Sequence, residues 1–455
     1  MKGKLIVPVS ISKDAGPLVC PPDKSVTHRS FLFSLLSKEK SYIRQPLLGQ
    51  DCLASLEAVR RLGGQVEHKR DDEVEIRGFG VIPIGMKTSP SERLLLDCQN
   101  SGTTIRMLSG LLVGQGGYFK MIGDESLSQR PMARVTQPLG EMGAVIRAVG
   151  MAPKGVACPP IEIDPATRLH AHSHAMKISS AQVKSALLLA GIFCGETETT
   201  RISEPSLSRD HTERMLRCMG VDVRSTIQAD GRAECDLNGH FGKCLSPLAI
   251  TVGGDPSSAT FWACAGVMQS RSVTIEQVLL NPSRMGFVQI LRRLGALIEV
   301  HGLGIEGGEE VGTIVIKPTF SLVAVEVHAA EVPTLIDEVS MLAITSLWAK
   351  GTSIFRGVQE LRVKESDRLK AIIEFIRDIG GKAWAKDNDL FVEGLGGRPP
   401  GPRSDEWFYK TLGDHRLAMA AIITADALQK QIFLDDIDCI RVSYPGFFEH
   451  REGLS

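Results

Sequence analysis

The chain is short of aromatic side chains, of net charge and of long apolar runs, and each shortage removes a class of protein. Phe, Trp and Tyr make up 5% of the 455 residues, too few for a surface that stacks bases. Lys plus Arg number 52 against 53 for Asp plus Glu, a net charge of -1. That excludes a general nucleic-acid binder but leaves room for a local cationic pocket. No apolar run reaches the length of a membrane span. Near the N-terminus Pro8 interrupts Leu5-Ile6-Val7 before a signal-peptide core can form. The expected location is therefore the cytoplasm, with neither nucleic acid nor membrane as a partner. Ten cysteines are present but no C-x-x-C pair. Contexts such as Phe193-Cys194 and Trp262-Ala263-Cys264 read as reduced cysteines in a core.

What is present is regular. A chain of 455 residues exceeds one ordinary core, so two or three domains are expected. Hydrophobic content of 43% with 23% charge fits a soluble globular protein. Six times a short polar cluster is followed at once by an apolar helical stretch. The clusters begin at Asp23, Asn100, Ser179, Asp255, Ile336 and Gly413. With Ser25, Gly102, Ser180, Ser257, Asp337 and His415 as markers, the steps are about 77, 78, 77, 80 and 78 residues, longer than any solenoid repeat.

Between the clusters a second feature recurs, a helix end with glycine and then a strand. It stands at Leu62-Gly63-Gly64, Met142-Gly143-Ala144, Met219-Gly220-Val221, Leu294-Gly295-Ala296 and Ile379-Gly380-Gly381. Each period thus carries two helices and several strands, a mixed α/β (α+β) unit. The sixth period ends early, and an N-terminal strand over Lys4–Ile11 would complete it, closing three units into each of two domains. The expected domains are 1–20 with 246–455, and 21–245. The stretch Gly394–Arg403 reads as an exposed hairpin or loop.

The run Arg362-Val363-Lys364-Glu365-Ser366-Asp367-Arg368 is expected to open a helix with apolar positions Leu369, Ile372, Ile373, Ile376 and Ile379, ended by Gly380. Lys364 and Arg368 would then share a face and repel, near a helix N-terminus that disfavours cations. A bound anion would reverse both penalties. Alone, the run reads equally as a solvated charged turn. Helix caps account for Thr103, Ser258 and Asp337 without any chemistry. They do not account for Lys24, Arg29, Arg106, Lys364, Arg368 and Arg416, which have the wrong charge for helix starts. If the helix starts of the two domains face each other, the cleft is an anion trap. That points to an enzyme for phosphorylated or carboxylated small molecules.

These residues carry a family resemblance. Lys24-Ser25 with Arg29, Asn100-x-Gly102-Thr103-x-x-Arg106, Gln129-Arg130-Pro131-Met132, Ser180-x-Gln182, Ile336-Asp337-Glu338, Arg362 to Arg368, and Asp414-His415-Arg416 resemble the enolpyruvyl transferases. Within them the closest resemblance is to the 5-enolpyruvylshikimate-3-phosphate synthase family, in its divergent bacterial class. The resemblance covers nearly the whole chain, in order. It implies two domains of three βαβαββ units around an interdomain cleft. It implies transfer of the enolpyruvyl group of phosphoenolpyruvate to the 5-hydroxyl of shikimate 3-phosphate, by addition and elimination of phosphate. That is a step of chorismate and aromatic amino-acid biosynthesis. It implies a monomer with no organic cofactor and no metal.

By the same resemblance Lys24, Ser25, Arg29, Ser180, Gln182 and Arg209 meet shikimate 3-phosphate, together with Asp337 and Lys364. Lys24, Gly102, Arg130, Gln182, Arg368 and Arg416 meet phosphoenolpyruvate, and Lys364 contacts both substrates. Asp337 is implied as proton acceptor at the 5-hydroxyl and Glu365 as proton donor to the methylene, with Lys24 counted among the catalytic groups. The inhibitor glyphosate, which competes with phosphoenolpyruvate in the family, is implied as well.

The chain departs from the commonest family pattern at Ala181, Glu360 and Arg441-Val442-Ser443-Tyr444-Pro445. The alternative with the same fold is the transferase acting on UDP-N-acetylglucosamine. That family usually carries a cysteine in the loop before an Arg-Pro pair, whereas the loop from Gly123 to Pro131 has none. A third reading, from a different class, is a non-catalytic anion-binding protein. It has no need of Asp337 and Glu365 among the bases.

Overall fold

The computed structural model describes residues 3–70, 72–83, 88–397, 401–402 and 407–455. They divide into two compact units, Pro22–Val252 with Glu306–Glu309, and Met1–Pro21 with Gly253–Ile305 and Glu310–Ser455.

The first unit contains helices α1 (Lys24–Phe33), α2 (Gln50–Arg61), α3 (Gly102–Leu112), α4 (Ala133–Glu141), α5 (Ala181–Ile192) and α6 (His211–Cys218). Its three sheets each have four strands. In order across each sheet they are Ala249–Thr251, Ser41–Arg44, Glu73–Arg77, Gln65–Arg70; Leu94–Asp97, Phe119–Ile122, Val156–Asp164, Val145–Ala152; and Ser173–Ala175, Thr199–Glu204, Ala233–Asn238, Val223–Ile227. In every sheet the first two strands are parallel and the rest antiparallel. Parallel neighbours need a crossover, which a helix supplies, while antiparallel neighbours can be joined by a hairpin. The second and third sheets are built in the chain order β-α-β-α-β-β, and the first has the same layout with its first strand, Ala249–Thr251, supplied from the end of the unit's sequence.

The second unit contains α7 (Pro256–Gln269), α8 (Gly286–Arg293), α9 (Val339–Thr345), α10 (Arg368–Asp378), α11 (His415–Leu428) and α12 (Phe447–Gly453). One sheet runs Leu297–Glu306, Glu309–Lys317, Val273–Leu279, Leu18–Val19. The next runs Leu322–Val323, Ala349–Phe355, Asp389–Leu395, Lys382–Lys386, with Glu326–Val327 added beside Ala349–Phe355. The last has three strands, Lys4–Ile6, Ile432–Leu434 and Phe408–Tyr409. Lys4–Ile6 pairs antiparallel with Ile432–Leu434. The N-terminal segment does complete the sixth period, although its strand stops at Ile6 rather than at Ile11. Beyond it Pro8 breaks the strand, and the Val9 amide bonds to the Asp426 carboxylate instead of to a neighbouring strand.

Two kinds of helix alternate. From Val183 to Ile192 every residue of α5 is buried, and so is every residue of α7 from Pro256 to Met268. Both are interior helices, buried all round and mostly apolar. By contrast α2, α4, α6, α8 and α10 bury one side and end at the five recurrent glycines. At α10 the Gly381 amide bonds to the Ile376 carbonyl and the Gly380 amide to that of Arg377, with Gly380 at φ +80. This is the paired closure in which glycine takes the left-handed position without a Cβ penalty. The same pair of bonds closes the other four. Between interior helices the packing is tight. A Cβ on Gly110 of α3 would lie 2.0 Å from the Ala186 carbonyl oxygen of α5.

None of the ten cysteines forms a disulfide; eight are buried, and Cys218 and Cys244 are exposed. Of the expected loop Gly394–Arg403, Gly394 lies inside a strand and Gly396 and Gly397 form a turn. Residues 398–400 and 403 lie outside the described residues.

Candidate active site

The expected helix over Arg362–Arg368 starts later. Gln359–Val363 forms a 3-10 turn, and α10 begins at Arg368. The reason is Asp367, whose carboxylate accepts the Lys370 amide at 3.0 Å and caps the helix there. Lys364 therefore precedes the helix and does not stack on Arg368. Both instead donate to one oxygen, Asp337 Oδ1, at 3.2 Å each. Arg416, the second residue of α11, donates to the Asp337 carbonyl at 3.4 Å and stands 3.9 Å from its carboxylate. Asp337 caps nothing, since the N-cap of α9 is Glu338 and no side chain caps that helix. Nor do Thr103 and Ser258, because Ser101 and Asp255 cap α3 and α7.

Arg368 is fixed from below. Asp414 takes Nε at 2.8 Å and Nη2 at 3.2 Å, a two-pronged pair, and Glu365 accepts from Nη2 at 2.6 Å. Arg368 is 1% exposed and Asp414 0%. Burial would discharge the guanidinium, but Asp414, Glu365 and Asp337 outweigh it and hold its pKa above the ordinary value. Burial likewise opposes the charge on Asp414, and Arg368 prevails, keeping its carboxyl below the ordinary value. Asp414 also accepts from Ser366 and from the Arg416 amide, so one buried carboxylate sets three residues of the cluster. Behind Asp337, the neighbouring Glu338 accepts from Ser257, and Arg284 bonds to Asp255 and Ser257.

The first unit carries a second cationic group. Asp23 caps α1 by accepting the Val26 amide at 2.7 Å, which puts Lys24 and Ser25 in its first turn. Lys24 pairs with Asp51 of α2. Arg209 donates to Ser25 Oγ at 3.4 Å. Arg29 lies behind Ser25. It donates to the Ser25 carbonyl, to Thr212 and to Ser185 at 3.0, 2.7 and 2.9 Å, and burial, against Glu213 and Asp23, lowers it to about 10. Beside it His28 bonds through Nδ1 to Ser55, and Ser55 to Thr104, both at 2.8 Å. Burial and the Lys24 charge push His28 down to about 3, so it is neutral at pH 7.

Gly102 opens α3 between two guanidinium groups. A Cβ there would lie 2.8 Å from Arg106 Nη1 and 3.0 Å from Arg130 Nη1. Arg106 donates to Gln182 Oε1 at 2.6 Å, Gln182 donates to Thr103, and Arg130 donates to Asn100 at 2.8 Å. Ser180 is the N-cap of α5, its hydroxyl 3.5 Å from the Val183 amide. Ala181 follows as the first helical residue, so that departure from the family pattern falls beside the site. Arg441 instead lies on an exposed turn of the second unit.

Three supports escaped the sequence reading. Asp51 is the ion-pair partner of Lys24. Asp414 appeared only as part of a motif. The fully buried Lys184 pairs with Glu204 at 2.8 Å and Glu213 at 2.7 Å. Burial would neutralise Lys184, but Glu213 and Glu204 raise its pKa. Glu204 in turn accepts from the Ser208 amide and hydroxyl, which fixes the loop bearing Arg209. The visible signal was a lysine inside the apolar run of α5.

Residues 10–450 match the family model described as EPSP synthase (3-phosphoshikimate 1-carboxyvinyltransferase). The 3-phosphoshikimate 1-carboxyvinyltransferase of Bacillus subtilis is 36% identical over 442 residues, 97% of each chain. That of Alkaliphilus metalliredigens is 38% identical over 459 residues, 99% of this chain and 100% of the relative. Among solved structures, an EPSP synthase from Acinetobacter baumannii superposes with TM-score 0.81 at 33% identity, covering 99% of this chain and 98% of that one. The enolpyruvyl transferase NikO of Streptomyces tendae, at 17% identity and TM-score 0.72, shares the fold. With the family matched over nearly its whole length, the chain belongs to the EPSP synthase (3-phosphoshikimate 1-carboxyvinyltransferase) family.

Proposed function

We propose that the protein transfers the enolpyruvyl group of phosphoenolpyruvate to the 5-hydroxyl of shikimate 3-phosphate and releases phosphate. The observation that carries this reading beyond the family match is the grouping of one carboxylate, Asp337, with Lys364, Arg368 and Arg416, and of Glu365 with Arg368. Addition joins the 5-oxygen to C2 of phosphoenolpyruvate while a proton reaches its methylene carbon. Elimination removes a proton from the resulting methyl group as the C2–phosphate oxygen bond breaks. Asp337 accepts the hydroxyl proton and Glu365 supplies the carbon proton, each a step of the general acid–base kind.

Lys24, Ser25, Ser180, Gln182, Arg209 and Lys364 hold shikimate 3-phosphate, with Arg29 setting the position of Ser25. Lys24, Gln182, Arg130, Arg368 and Arg416 hold the phosphate and carboxylate of phosphoenolpyruvate, Gly102 keeping its approach open. Fixed cations suit this reaction because negative charge moves onto the departing phosphate. The reaction as written calls on no metal and no organic cofactor. The protein acts as a monomer in the cytoplasm.

The test is phosphate release from phosphoenolpyruvate with shikimate 3-phosphate or UDP-N-acetylglucosamine as acceptor. Release with the first alone is expected. Asp337→Asn and Glu365→Gln should each lower it by about 10²–10⁴-fold, with shikimate 3-phosphate binding retained in calorimetry. Release with the sugar nucleotide alone would overturn the acceptor. Unchanged turnover in both variants would overturn their roles.

A further inference from the structure

We propose that Glu141, His172 and His174 form a binding site for one divalent transition-metal ion, with zinc as the reference case. The ion would clip α4 to the edge strand Ser173–Ala175. His172 and His174 flank Ser173 where the strand Ser173–Ala175 begins, and in extended chain residues two apart fall on one face. Glu141 is the last residue of α4. Its Oε2 lies 3.2 Å from His172 Nε2 and 3.7 Å from His174 Nδ1. The three donor atoms all lie within 4.8 Å of one another. Zinc bonds of about 2.0–2.2 Å in a tetrahedron set ligand atoms roughly 3.3 Å apart, a spacing that the 3.2 and 3.7 Å separations bracket. A single ion pair would account for one histidine beside Glu141. Here one carboxylate oxygen serves two imidazoles that come to it through different ring nitrogens.

The donor set selects the metal. Two imidazoles and a carboxylate suit zinc, nickel or copper, whereas calcium and magnesium prefer oxygen alone. Three protein ligands leave a fourth position for water. All three side chains are at least partly exposed, so an ion could reach them from solvent. Its effect would be mechanical. α4 belongs with the sheet containing Val145–Ala152, while Ser173–Ala175 is the edge of the next sheet, so the ion would tie two neighbouring repeats together. The backbone already joins them there, through the His170 amide and the Met142 carbonyl at 2.9 Å.

The experiment titrates zinc chloride into metal-stripped full-length protein by calorimetry and follows the thermal midpoint. One equivalent should bind, and the midpoint should rise with ln(1 + [Zn]/Kd). Magnesium should do neither. The double variant His172→Ala/His174→Ala should lose at least about tenfold in affinity and the zinc-induced midpoint shift, while its phosphate release stays at the wild-type rate, which shows that it is folded. Glu141→Gln should weaken binding less. No uptake by the wild type would overturn the site. Equal uptake by the double variant would also overturn it and would place the ion elsewhere, for instance on the exposed Cys218 or Cys244.

Discussion

Gly102 shows how little space the site leaves at the level of single residues. The arginines on either side of it are flexible at their tips, so an added methyl would displace them rather than break the helix. Gly102→Ala should therefore raise KM for phosphoenolpyruvate several-fold, while the urea midpoint moves little; a large loss of stability with unchanged KM would contradict this. His28 makes a second prediction. Its folded pKa is about 3, against about 6.5 in an unfolded chain. Between those values the unfolded state binds the extra proton, so stability falls as pH falls, by about 1.4 kcal/mol per unit from this group. Urea midpoints from pH 7.5 to 5 should fall more steeply in the wild type than in His28→Gln. Parallel slopes would show that His28 does not contribute. Bases at helix starts were legible in the sequence because their charge opposes the local dipole. Lys184 with Glu204 and Glu213 was not, because a buried ion pair is recognised only when its partners, twenty or more residues away, are found.

At the level of elements, hydrogen-bonding rules read well where they are local. The five glycine closures needed only a helix end and a residue that accepts positive φ. Helix starts read less well. A Ser, Thr or Asp near a boundary is a candidate cap, and which one serves depends on where the backbone turns. That is why Ser101, Asp255 and Asp367 cap helices while Thr103, Ser258 and Asp337 do not. Two glycine substitutions should separate packing from propensity. Gly110→Ala drives a methyl into the Ala186 backbone and should cost at least about 1–3 kcal/mol. Gly140→Ala lies within α4 with nothing within 4 Å of the new methyl and should stabilise by about 0.5–1 kcal/mol. Chemical denaturation of the two variants should give shifts of opposite sign.

Across the whole molecule, the repeat is closed by a strand from the far end of the chain. Removing residues 1–11 would take away one of the two strand partners of Ile432–Leu434, the Val7 carbonyl bonded to Arg451 and the Val9 amide bonded to Asp426. Amide exchange should then accelerate in Ile432–Leu434 and α12 and stay unchanged in Thr199–Glu204; uniform acceleration would mean that the two units do not respond separately. The sequence by itself determined the sixfold period, the two helices in each of the first five repeats, the glycine helix ends and the family, because each is written in local pattern or in ordered motifs. Only the tertiary structure decided that Lys364 and Arg368 meet at Asp337, that Asp414 holds Arg368, and that Glu141 reaches two histidines more than thirty residues away. Those pairings depend on how separate helices and strands pack, and a side chain's partners across that packing leave no periodic trace along the chain.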